Sequence, residues 1–162
     1  MLKLAGILLV SAAISMAGCY KAGRIKYNMN TRKELYELVL HLKNCIESSS
    51  MELSEIFRTC TGENLLKSGF IQKLQNSGES TFSDALKTTE LNLPEQLFEI
   101  YLKLSKTIGK SRSAKTETET ISRFLTEIEN AEKKLAQNDE SRIVLYKKLG
   151  VLTGILAALI LI

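Results

Sequence analysis

A chain of 162 residues with 22 Lys and Arg against 18 Asp and Glu, net charge +4, is long enough for one domain. It has no basic stripe with interleaved aromatics, which sets aside nucleic-acid binding. Its three cysteines, Cys19, Cys45 and Cys60, are widely spaced with no Cys-x-x-Cys, which sets aside a disulfide framework and a zinc site and fits a reducing compartment.

The first element is an apolar run. Leu4 to Ala17 carries no charge, and Leu4 to Tyr20 as a helix covers about 25 Å, enough to cross a bilayer with some thinning or snorkelling. Its end, Met16-Ala17-Gly18-Cys19, also has the shape of a lipobox. On that alternative Cys19 becomes a lipidated N-terminus of an extracytoplasmic lipoprotein. Three features favour an uncleaved helix instead: Met16 replaces the leucine usual at its position, Lys3 is a thin n-region, and dense positive charge follows Cys19.

The central segment is rich in Lys, Glu, Leu, Ser and Thr, has no Trp and holds only one proline, which is a helical composition. Asn30 or Thr31 can cap a helix carrying Leu35, Leu38, Val39, Leu42 and Ile46. No breaker lies between Lys21 and Met29, so this helix can also run straight out of the first apolar run. Ser49 with Glu52 fits a capping box for a short helix with Leu53, Ile56 and Phe57 that stops at Gly62. Leu65, Leu66, Phe70, Ile71 and Leu74 make a third helix ending near Gly78, and Thr81 to Leu91 a fourth. Pro94 opens a fifth, which buries Leu97, Ile100, Tyr101 and Leu104 and ends at Gly109. The sixth starts near Ser113 and runs through Ile121, Phe124, Leu125, Ile128 and Leu135. It meets no Gly or Pro before Gly150, so it continues into the second apolar run, Leu149 to Ile162. With no sustained period-two alternation, the expected fold is an all-α antiparallel bundle of about six helices, its N- and C-terminal helices extending into the membrane. The expected domains are a transmembrane helix at 1–20, a cytoplasmic helical bundle at 21–142 and a transmembrane helix at 143–162.

Charge sets the orientation. Lys21, Arg24 and Lys26 follow the first span, and Lys147 and Lys148 precede the second, so the positive-inside rule puts the central domain in the cytoplasm. Gly150 and Gly154 form a GxxxG, which lets helices approach closely in lipid. The expected partner face is Gly6, Ala13 and Ala17 of the first span, with Gly18 leaving room for a neighbouring helix; another subunit in a homo-oligomer is the alternative.

Catalytic chemistry is not legible. Gly109-Lys110-Ser111 matches the end of a phosphate-binding loop, but Leu104 stands where the first glycine is needed and a helix precedes it, so Gly109 reads as a helix end. His41 is the only histidine, and no Ser-His-Asp or Cys-His arrangement is readable. Glutamates sit beside lysines at helical spacing, as Glu129 and Lys133 do. No catalytic residue, cofactor or metal is assigned, and no enzyme is expected.

Both ends carry a resemblance. "MLKLAGILLVSAAISMAGCYKAGR", "RKELYELVLHLKNCIE" and "NDESRIVLYKKLGVLTGILAALILI" resemble the start, first cytoplasmic helix and close of the stage III sporulation protein AB family of endospore-forming bacteria. Arg112 and Thr116 depart from the acidic residue and glutamine that the family often has after Gly109. The resemblance implies a helical domain similar to the cytoplasmic domains of type II secretion F platform proteins. It also implies a non-enzymatic place in the complex that links mother cell and forespore. The protein would lie in the outer forespore membrane, with its domain facing the mother-cell cytoplasm, in contact with membrane lipid and other membrane components. It would work beside a secretion-type ATPase of the same operon. Exposed charge on the short central helices, Glu52, Glu55, Arg58, Glu95 and Glu99, is the expected docking face for that ATPase.

Overall fold

The computed structural model describes residues 2–48, 53–76, 82–109 and 113–161. Among these the chain is helical with no strand: α1 (Leu2–Ser48), α2 (Leu53–Thr59), α3 (Glu63–Lys67), α4 (Phe70–Asn76), α5 (Phe82–Thr88), α6 (Glu95–Thr107) and α7 (Ala114–Leu161). The helices gather into two units, one of residues 1–29 with 135–162, the other of residues 30–134. The two long helices contribute to both.

α1 is continuous, so Asn30 and Thr31 do not cap a helix; Thr31 is instead buried in its interior. Nothing between Lys21 and Met29 frees a backbone group, and the chain has no reason to leave the helix there. α7 likewise runs unbroken from Ala114 to Leu161. The seven described helices exceed the expected six because the third splits. Gly69 takes a left-handed φ of 80° and ends the turn after α3, with its amide donating to the Leu66 carbonyl at 3.0 Å. Gly62 does not stop α2, which ends at Thr59; it is the N-cap of α3. The Ser49–Glu52 capping box and Gly78 lie outside the described residues.

α5 stops at Thr88, short of the expected Leu91, and Thr81 lies outside the described residues. The Leu91 amide turns back to the Thr89 carbonyl at 3.0 Å, and Asn92 takes a positive φ of 49°, which ends the helical path. Pro94 then caps α6 with an extended ψ of 143°, while Gly109, at φ 77°, follows its last turn.

The core of the 30–134 unit is apolar and drawn from every helix. α1 supplies Leu35, Leu38, Val39 and Leu42, the short helices supply Ile56, Leu65, Phe70, Ile71 and Leu86, and α6 and α7 supply Leu97, Leu104, Ile121 and Ile128. Each fully buried aliphatic or aromatic chain contributes about 1.5–3 kcal/mol against leaving it in water. α4 packs on α2, α3 and α5, and α5 packs on α6. The Phe82 ring joins them, edge-on to Phe70 at 5.7 Å and stacked on Phe57 at 6.4 Å. Leu66 faces out instead of joining the core.

Candidate functional site

In the unit of residues 1–29 and 135–162, the two long helices touch backbone to backbone. A Cβ at Gly18 would lie 2.7 Å from the Gly150 Cα and 2.7 Å from the Tyr146 carbonyl oxygen. One at Gly150 would lie 3.0 Å from the Gly18 Cα and 3.1 Å from the Ser15 carbonyl oxygen. One at Gly154 would meet the Ser15 hydroxyl and come within 2.8 Å of the Ser11 carbonyl. The pairing is antiparallel, with Ser15 against Gly154 and Gly18 against Gly150. All three glycines singled out for close packing therefore sit in the contact.

The expected partners on α1 are not the ones used. Nothing lies within 4 Å of a Cβ at Gly6, and Ala13 and Ala17 are exposed. The reason is helical phase. From Gly18, positions three and seven residues back return to the same face, whereas one, five and twelve do not. The face is thus Ser11, Ser15 and Gly18. Its hydroxyls do not stand open: Ser15 donates to the Ser11 carbonyl and Ser11 to the Leu8 carbonyl, both at 3.0 Å. Thr153 on α7 does the same toward Leu149 at 2.6 Å. Such back-bonding satisfies a hydroxyl inside its own helix and lets it face an apolar medium.

Away from that contact the pair is apolar and uncovered. Leu9 is 72% exposed and Ile160 75%, and Leu8, Met16, Leu152, Ile155, Leu156 and Leu159 are exposed with them. A soluble monomer rarely leaves so long an apolar surface open to water. Both α1 and α7 contain stretches long and apolar enough to cross a membrane. Lys21, Arg24, Lys26, Lys147 and Lys148 are all exposed. The Lys21 ammonium lies 5.7 Å from the centre of the Tyr146 ring.

The 30–134 unit carries the expected docking residues. Glu55 and Arg58 are exposed on α2, and Glu95 and Glu99 are exposed on α6; Glu52 lies outside the described residues. The four do not share one helix. Leu53, the first residue of α2, lies against Gly109, beyond the C-terminal end of α6, and Glu95 opens α6 at the other end.

Two side-chain pairings of this unit, and the polar surroundings of the buried Tyr101, were not read from sequence. Arg32, buried, donates from Nε to Glu132 Oε2 at 3.2 Å, and its Nε also lies 2.9 Å from Oε1 in the same ion pair. Glu34 caps α3 from a distance: its Oε2 accepts the Asn64 amide at 2.8 Å and the Leu65 amide at 3.0 Å, and its Oε1 accepts the Asn64 side-chain amide at 2.5 Å. Gly62 has no side chain to do this work, and a Cβ there would lie 3.0 Å from the Glu34 carboxylate. Tyr101 is fully buried; burial first, then the nearby Glu132 carboxylate, pushes its phenol well above the usual range. Its hydroxyl has no hydrogen-bond partner among the described residues. Partners 30 or 100 residues apart leave no mark in local spacing.

His41 lines a cavity of about 230 Å³ with Glu37, Leu38, Thr59, Cys60 and Thr61. Its Nε2 is 3.0 Å from the Thr59 hydroxyl and 3.5 Å from the Cys45 sulfur. Burial, with a smaller contribution from Cys45, raises the Cys60 thiol to about 11, so it stays protonated and unreactive near neutral pH. Among the described residues, no group of three His, Cys, Asp or Glu side chains is placed to hold a metal ion.

A family model described as stage III sporulation protein AB matches residues 3–162. That family is one of sporulation proteins and not a known enzyme family. No curated protein and no solved structure matches the chain.

Proposed function

Because the chain belongs to the stage III sporulation protein AB family, and so to the sporulation machinery, we propose that it is a non-enzymatic membrane platform. Its two apolar helices form a hairpin in the outer forespore membrane, and the helical domain of residues 30–134 faces the mother-cell cytoplasm. The observation that carries this reading is the glycine contact. At Gly18, Gly150 and Gly154 the two helices meet too closely for any side chain, while their outward faces are apolar and exposed. In lipid, where burying apolar surface gives no advantage, close van der Waals packing of small residues is what holds helices together. An apolar outer face then needs no protein cover.

The basic residues on the domain side of both helices support the cytoplasmic orientation. The domain docks a secretion-type ATPase of the same operon, through Glu55 and Arg58 on α2 or Glu95 and Glu99 on α6. Support for this is their exposure and the absence of an ion pair at any of the four among the described residues. These two charge groups lie on separate helices, so they are tested separately. Charge reversal at Glu55 with Arg58, and independently at Glu95 with Glu99, is followed by measuring affinity of the membrane-extracted full chain for the ATPase. Loss with one pair only identifies the face, and unchanged affinity with both removes this docking mode.

A further inference from the structure

We propose that the basic collar around the helix pair binds anionic phospholipid headgroups at the level of the Tyr146 ring, drawn there by Lys21, Lys147 and Lys148. This rests on the membrane-hairpin reading and deepens it by naming the lipid class. The first observation is where the charge resides. The unit of residues 1–29 and 135–162 holds Lys3, Lys21, Arg24, Lys26, Arg142, Lys147 and Lys148 against only Asp139 and Glu140, although the whole chain is just +4. All of the net positive charge is therefore in this unit, and the 30–134 unit is slightly acidic.

The second observation is how narrowly that charge is gathered. Antiparallel pairing sets Gly18 against Gly150 and Lys21 against Tyr146, so Lys21, Arg24 and Lys26 lie level with the stretch from Arg142 to Lys148. Six basic residues share a band about 10 Å deep along the two axes. It begins where the charge-free runs on both helices stop. That is the depth of a phosphate layer next to the hydrocarbon.

The third observation is what the lysines meet. Lys21, Lys147 and Lys148 are exposed, and no carboxylate pairs with them among the described residues. Lys21 instead approaches an aromatic ring at 5.7 Å. The ring holds the ammonium beside the junction of the helices by its quadrupole but accepts no conventional hydrogen bond, so donors of the ammonium remain for a phosphate. A tyrosine at this level, with basic side chains from both helices around it, matches the chemistry of an acidic headgroup bound between membrane helices.

The test uses the full chain in neutral-detergent micelles, offered equal amounts of phosphatidylglycerol and phosphatidylcholine with the same acyl chains, with bound lipid counted by native mass spectrometry. Phosphatidylglycerol is expected to be retained preferentially, by roughly 30- to 150-fold if two to three basic groups act on it. Substituting Lys21→Gln, Lys147→Gln and Lys148→Gln together should bring the ratio close to one, while arginine at the same positions keeps the preference. Equal retention of the two lipids by the natural chain, or an undiminished preference in the glutamine variant, overturns the proposal. Displacement of the bound lipid by excess inorganic phosphate also overturns it, since the site would then take phosphate from solution. Failure of the hairpin reading shows elsewhere: the chain would be released from membranes by carbonate, whatever its lipid preference.

Discussion

Adding one methyl group at Gly18 should part the two helices that meet there. The new Cβ would sit 2.7 Å from two backbone atoms of α7, the Gly150 Cα and the Tyr146 carbonyl oxygen. Carbon contacts are comfortable at about 3.5–4.0 Å, so the helices must separate by about 1 Å at this level. Backbone atoms cannot rotate aside as a side chain can. Overpacking of this kind costs about 1–3 kcal/mol, against a gain of up to about 1 kcal/mol from replacing glycine within a helix. Gly6→Ala is the matched control, because a Cβ there meets nothing within 4 Å and only the gain applies. The two variants should therefore differ by about 2 kcal/mol. The assay is detergent-driven separation of the hairpin in mixed micelles, followed by energy transfer between dyes on the two chain termini. Gly18→Ala and Gly150→Ala should combine to less than the sum of their separate effects, by about 1 kcal/mol, because the first methyl has already made room for the second. If Gly18→Ala is as harmless as Gly6→Ala, the close contact is not part of the protein's packing.

The 30–134 unit gives further outcomes. Glu34→Ala should expose the Asn64 and Leu65 amides, destabilise the fold by about 1–2 kcal/mol, and speed hydrogen exchange at those two amides more than elsewhere. Arg32→Ala leaves Glu132 partly buried without its guanidinium and should cost about 3 kcal/mol by denaturant midpoint, much of it recovered when Glu132→Leu is added to Arg32→Met. Cys60 should be the last thiol alkylated at pH 8, where only about a thousandth of it is thiolate. Because its folded pKa is raised to about 11, Cys60 contributes stability that is complete below the ordinary thiol value and is lost as pH rises through 11; a midpoint insensitive to pH between 9 and 11 would contradict that.

The sequence made the long elements legible because what defines them is an absence. No residue between Lys21 and Met29, or between Ala114 and Gly150, breaks a helix, and α1 and α7 are continuous through both stretches. Pro94 and Gly109 bounded α6 correctly because each has one strong conformational preference, and the apolar period of α6 named its buried face, Leu97, Ile100, Tyr101 and Leu104. Gly62 misled because glycine can end one helix or precede the next, and only tertiary context decides. The partner face of the GxxxG was misread by choosing the smallest residues. The helix presents a direction rather than a composition, and that direction holds Ser11 and Ser15. The remaining features, Glu34 over α3 and Arg32 on Glu132, pair residues far apart in the chain, and no local pattern records them.

Protease treatment of intact protoplasts and of inside-out vesicles from non-sporulating cells producing the chain, in which the cell-surface membrane receives it, read by mass, tests the central account most directly. A hairpin with a cytoplasmic domain predicts that residues 30–134 are cut only in the inverted vesicles, leaving two protected apolar fragments, one still carrying Met16 through Cys19. Cleavage of the domain from outside intact protoplasts, or a mature chain that begins at a lipidated Cys19, would contradict it.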